Sequence, residues 1–148
     1  MQNISYLALA LMAGVLIPMQ TSFNAQLDRF GRHPITTTVI VFLVGVIACL
    51  IGLLISRPDM PQLSTANSVP TWAWFGGALA VIYVGLLVMV LPKIGVGLTT
   101  TLVLLGQMIA AMTLDHYGML GNPQHLFGWG RLLGLICMTG GVILIKWF

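Results

Sequence analysis

Residues 35–56 read ITTTVIVFLVGVIACLIGLLIS, without one charged side chain. A helix rises about 1.5 Å per residue, so a run of this length crosses the roughly 30 Å hydrocarbon core of a bilayer. In hydrocarbon only helices and closed barrels satisfy every backbone N–H and C=O. Barrel strands alternate polar and apolar side chains, and this run does not alternate. It reads as a membrane-spanning helix. Pro34 stands at its first turn, where a missing N–H is tolerated.

Four more blocks of similar length flank it: Ile4 to Leu27, Trp72 to Leu91 with Pro92 as its stop, Ile94 to Leu114, and Phe127 to Trp147. The expected fold class is an all-α membrane protein of five transmembrane helices, forming a single transmembrane domain over residues 1–148. The first block lacks the basic start of a signal peptide and is expected to be a retained helix. The links are short. Asp28 to His33 joins the first pair, Pro92-Lys93 the third and fourth, and Asp115 to Leu126 the last pair. The longest, Arg57 to Thr71, carries Pro58, Pro61 and Pro70 and suits a surface loop. Trp72, Trp74, Trp129 and Trp147 all fall near helix ends, the headgroup level that amphipathic rings prefer.

Composition agrees. The chain is 58% hydrophobic and 6% charged, with a mean hydropathy of +1.00, whereas a soluble domain carries about 25% charged residues to hold its surface in water. Six Lys/Arg and three Asp/Glu are too few and too scattered for a nucleic-acid surface. Cys49 and Cys137 lie within apolar blocks, with no zinc-type spacing. No HExxH, GxSxG, phosphate loop or Ser/His/Asp set sits at catalytic depth. The expectation is a protein that is not an enzyme and carries no cofactor or metal. His33, His116 and His125 lie near helix ends, as boundary residues rather than ligands.

Five spans put the termini on opposite sides. One side holds Arg29, Arg32, Lys93 and Lys146, the other Arg57 and Arg131. Basic residues favour the cytoplasm, which points to N-out, C-in. Four against two is a weak bias, and a weak bias allows both orientations to insert. Two opposed copies then make an antiparallel homodimer of ten helices, the inverted-repeat design of many transporters.

Polar groups within hydrocarbon face a bundle interior or a wet cavity. Gln20 and Asn24 lie four apart on one face of the first helix, with Thr21 beside them and Pro18 just before, where the ring removes a backbone bond and should kink the helix. Thr100 and Gln107 share a face of the fourth helix, and Tyr83 lies on the third. These six are the candidate substrate-binding residues, although amides also serve as glue between helices. The threonines carry the weaker signal, because a threonine can bond the carbonyl of the preceding turn. No Asp, Glu, Lys, Arg or His lies well inside a span, so the cargo expected is a small neutral or zwitterionic solute. Small residues recur at helical spacing: Gly45, Cys49 and Gly52; Thr99, Gly106, Ala110 and Thr113; Gly130, Gly134, Cys137 and Gly141. Such stripes suit close packing within the chain or a dimer seam on the fourth and fifth helices, along Gly106, Ala110, Gly130, Gly134 and Gly141.

The run Pro18-Met19-Gln20-Thr21-Ser22-Phe23-Asn24-Ala25 resembles the first-helix motif of a half-size, five-helix bacterial family of the drug/metabolite transporter superfamily. In order along the chain, Phe42 with Gly45, Gly76-Gly77, Pro92 and Gly95, Gly106-Gln107, Asp115 with Gly118, Pro123, Arg131, Gly134 and Gly141 extend the likeness to nearly its whole length. The resemblance implies a multi-pass bacterial inner-membrane protein of dual topology, its partners the bilayer and a second, inverted copy. The chain is also similar in size to the small multidrug exporters but lacks a counterpart of their first-helix glutamate. Two functions follow as expectations: a small-solute transporter alternating access around a neutral, amide-lined site, or a membrane scaffold or accessory subunit that moves nothing.

Overall fold

A computed structural model of the chain describes residues 4–59, 69–121 and 123–147. Its five long helices are α1 (Ile4–Gly31), α2 (Pro34–Ser56), α3 (Gly76–Ile94), α4 (Val96–Tyr117) and α5 (Trp129–Trp147). A 3-10 turn at Thr71–Phe75 leads into α3, and another follows α4 at Met119–Gly121. All five helices are long and apolar enough to cross a membrane. Trp72 and Trp74 occupy the turn before α3, while Trp129 opens α5 and Trp147 closes it. Pro61 and the middle of the longest link lie outside the described residues.

The chain divides into two compact units, Met1–Lys93 and Ile94–Phe148. In the first, α1 packs against α2. The turn between them is closed by side chains. His33 caps α2, its Nδ1 accepting the Ile35 N–H at 3.2 Å, with Pro34 as the first helical residue. The Arg32 N–H donates to the Asp28 carbonyl at 2.8 Å. Thr37, fully buried, donates through Oγ1 to Asp28 Oδ1 at 2.7 Å, which ties the first turn of α2 to the last of α1. Gly31 makes this approach possible: a Cβ there would collide with Thr37 Oγ1 and lie 3.2 Å from the Thr37 nitrogen. At its far end α2 stops at Arg57, in the left-handed region with φ 42°, whose N–H bonds the Leu53 carbonyl. The buried apolar residues of this unit are Val84, Leu87, Val88 and Leu91, all on α3.

In the second unit α4 packs against α5. Gly118, with φ 59°, ends α4, its N–H reaching the Leu114 and Asp115 carbonyls. Thr99, Met112 and Val142 are buried. The following link folds back on α4: the His125 N–H donates to the Asp115 carbonyl at 2.8 Å, Gln124 Nε2 to the His116 carbonyl at 2.9 Å, and the Phe127 N–H to His116 Nδ1 at 3.2 Å.

Several helix limits differ from those expected of the sequence. The first helix runs past Leu27 to Gly31 and takes in the start of the expected link, α3 starts at Gly76 after the 3-10 turn that holds Trp72, and α4 starts at Val96 rather than Ile94. Pro92 does not stop α3, which runs on to Ile94. A proline removes only its own N–H, and a helix near its end loses a single bond by it. The break falls instead at Gly95, whose φ of 81° and ψ of 166° lie where glycine alone is at ease. Asp115 and Tyr117 belong to the last turn of α4 rather than to the link, because the helix continues until the left-handed Gly118. On the other side of that link, α5 starts at Trp129, two residues after the expected Phe127.

Candidate functional site

The polar residues of α1 divide by exposure. Thr21 and Asn24, three apart on the helix, are buried, Asn24 being 9% exposed. Gln20 is exposed. Thr21 has spent its hydroxyl on the Ile17 carbonyl at 2.6 Å, and Ser22 has done the same with the Pro18 carbonyl at 2.7 Å. These bonds fall beside Pro18, which has no N–H to offer the Gly14 carbonyl one turn earlier. Back-bonding hydroxyls next to a proline weaken the helix at this point. Asn24 forms no side-chain hydrogen bond among the described residues, so its amide remains free for another group. Tyr83, on α3, is 37% exposed.

On α4 the candidates also divide. Gln107 is exposed near the middle of the helix, and Thr100 is half-buried. Their neighbour Thr99 is buried and donates to the Gly95 carbonyl at 2.6 Å. Thr101 and Thr113 bond the Gly97 and Ile109 carbonyls in the same manner. This self-satisfaction is what made the threonine run a weak signal in the sequence. The small residues carry a different message from simple close packing. Nothing lies within 4 Å of a Cβ built at Gly106, Gly130, Gly134 or Gly141, nor at Gly45 or Gly52. Ala110 is exposed. These positions leave open faces.

Two features of the first unit carry chemistry that the sequence did not single out. A cavity of about 320 Å³ at the ends of α1 and α3 is lined by Gln26, Asp28, Arg29, Leu91 and Pro92 with Ala25. A larger groove of about 550 Å³ between α2 and α3 is almost wholly apolar, walled by Phe42, Val46, Ile82 and Leu86 among others, with Thr38 and Gly85 where the helices come close. The first was hidden because Asp28 and Arg29 look like ordinary link charges until Thr37 is seen to fix one of them. In the second unit Arg131 Nη1 meets Asp115 Oδ2 at 3.5 Å, joining the last turn of α4 to the first turn of α5. Both groups are more than a third exposed, so this pair orients the link more than it stabilises it.

Five helices long and apolar enough to cross a bilayer, with polar side chains set within them and no soluble domain among the described residues, define a multi-pass membrane protein. Residues 5–144 match the family described as "Putative inner membrane exporter, YdcZ", and the chain belongs to that family. The match fits the half-size type of the drug/metabolite transporters that the first-helix motif resembles, and it places the chain in the inner membrane among transporters rather than enzymes. No curated protein and no solved structure matches the chain.

Proposed function

We propose that the chain is a small-solute exporter of the drug/metabolite transporter type, working as an antiparallel homodimer that alternates access across the inner membrane. Residues 1–148 act as one transmembrane domain that inserts in both orientations, and two opposed copies supply ten helices related by an axis in the membrane plane. The observation that carries this reading is the exposure of Gln20 and Gln107, both far from the ends of spanning helices and both without a hydrogen bond among the described residues. An amide moved from water to hydrocarbon without a partner costs about 4–8 kcal/mol. Such faces need a protein partner or a wet cavity, and a second copy provides either. The open positions at Gly106, Ala110, Gly130, Gly134 and Gly141 leave room for helix backbones of that copy to approach.

Within the dimer, Gln20, Asn24, Tyr83, Thr100 and Gln107 orient the cargo by hydrogen bonds, and Thr21, whose proton goes to the Ile17 carbonyl, serves as an acceptor only. The weakened backbone at Pro18 gives α1 a place to bend as access alternates. The central turns of the helices hold no ionisable side chain that would offset a charge on the cargo, so the solute is neutral or zwitterionic. A membrane scaffold would use the same amides only as glue between helices.

Flux separates the two functions. The purified chain in liposomes, offered a metabolite panel with and without a pH gradient, is expected to give saturable flux of at least one small neutral or zwitterionic solute. Gln20→Ala should lower that flux about tenfold, the equivalent of one hydrogen bond worth about 1.4 kcal/mol, with the dimer intact. Unchanged flux removes Gln20 from the site. No flux for any solute favours the scaffold.

A further inference from the structure

We infer that the cavity at the ends of α1 and α3 binds a small zwitterionic group, with Asp28 holding its ammonium and Arg29 its anion. The inference rests on the reading of the chain as a transporter of small solutes and names where the charged ends of such a solute are recognised. Asp28 is not a loose surface charge. Its Oδ1 accepts from Thr37 at 2.7 Å, and Thr37 is fully buried. Gly31, which has no side chain, lets the two helices come close enough for that bond. The Thr37 hydroxyl, which also lies 3.3 Å from the His33 carbonyl, thus draws this carboxylate toward α2, and Oδ2 has no donor among the described residues. Both Asp28 and Arg29 line the cavity, and neither is ion-paired among the described residues.

The rest of the lining matches the same ligand. Gln26 offers an amide, while Ala25, Leu91 and Pro92 supply apolar wall for a short carbon skeleton. A volume of about 320 Å³ holds a molecule of amino-acid size with water to spare. A lone cation would leave the guanidinium unused, and a lone anion would meet the carboxylate. Only a ligand carrying both charges satisfies both walls, because each then makes a charge-assisted hydrogen bond and neither is left opposed by its own sign. The ammonium and phosphate of a phosphatidylethanolamine headgroup present the same chemistry as a free amino acid.

The test reads binding at equilibrium, so it stands whether or not flux is found. The full chain in phosphatidylglycerol nanodiscs is titrated by calorimetry with glycine, 4-aminobutyrate and 6-aminohexanoate, and with butylamine and butyrate as single-charge controls. At least one zwitterion should bind about tenfold more tightly than either control, the scale of one charge-assisted hydrogen bond. Asp28→Asn, which keeps an acceptor for Thr37 and so preserves the turn, should remove that advantage, and Arg29→Gln should do the same. Thr37→Val should weaken binding less, about threefold, by releasing the carboxylate without deleting it. Loss of the free zwitterion's binding when phosphatidylethanolamine is added to the nanodiscs assigns the cavity to the headgroup, and its persistence assigns it to the soluble ligand. If no zwitterion outbinds the controls, or if Asp28→Asn binds as the native chain does, the inference is overturned.

Discussion

Gly31→Ala should destabilise the native chain by about 3 kcal/mol, a shift of roughly a hundredfold in its folding equilibrium. The added methyl would collide with Thr37 Oγ1 and press on the Thr37 backbone. Thr37 has two ways to yield. Turning its side chain away abandons the bond to the Asp28 carboxylate, worth about 1.5–3 kcal/mol. Separating α1 from α2 instead strains a packed contact, at about 1–3 kcal/mol. The better helix propensity of alanine offsets at most about 1 kcal/mol, and less than that at Gly31, the last residue of α1. The loss therefore outweighs the gain. Unfolding of the purified protein in mixed micelles measures it, and a double variant supplies the control. With Thr37→Ala in the background, the clash with Oγ1 and the hydrogen bond are both gone, so Gly31→Ala should cost far less there. Equal costs in the two backgrounds would mean that the close approach at this turn does not exist.

Gly95→Val is expected to have an effect of similar size through the backbone alone. With φ 81° and ψ 166°, Gly95 occupies a region that side-chain-bearing residues enter at a cost of about 1–3 kcal/mol, and a β-branched residue sits at the upper end. No neighbour lies within 4 Å of a Cβ built there, so crowding plays no part. Space and strain thus make opposite predictions, and strain should win. The same reasoning gives a sharp contrast: Gly97→Ala, two residues on, in a helix with open space beside it and no positive φ, should be neutral or mildly stabilising. Melting temperatures of the two variants check the pair. A harmless Gly95→Val would place the break between α3 and α4 elsewhere.

The two glycines mark how far the sequence could be read. The five spans were legible because hydropathy is summed over about 20 residues, and no single side chain decides it. The start of α2 was legible because Pro34 fits one place in a helix. Pro92 carries no such information, since a proline near a helix end has little left to break, and the stop belongs to Gly95. Nothing in the composition distinguishes Gly95 from Gly97; only the backbone angle does. The site was less legible than the fold. Gln20 and Asn24 share a face by spacing, yet one is exposed and the other buried, because burial depends on which neighbouring helix arrives and at what angle. Asp28 and Thr37 lie nine residues apart across a turn, and their bond appears only when that turn is folded. The glycine stripes of α4 and α5 were visible at once, but their open surroundings were not.

The central claim is that opposed copies of this one chain make the transporter. Asp59, exposed in the link after α2, reports orientation directly. With Cys49 and Cys137 replaced by serine, an Asp59→Cys variant in intact cells is treated with a membrane-impermeant thiol reagent, then permeabilised and treated again. Insertion in both orientations predicts labelling of about half the chains from outside and the remainder only after permeabilisation. Labelling of all the chains, or of none, before permeabilisation would show a single orientation and contradict the antiparallel dimer.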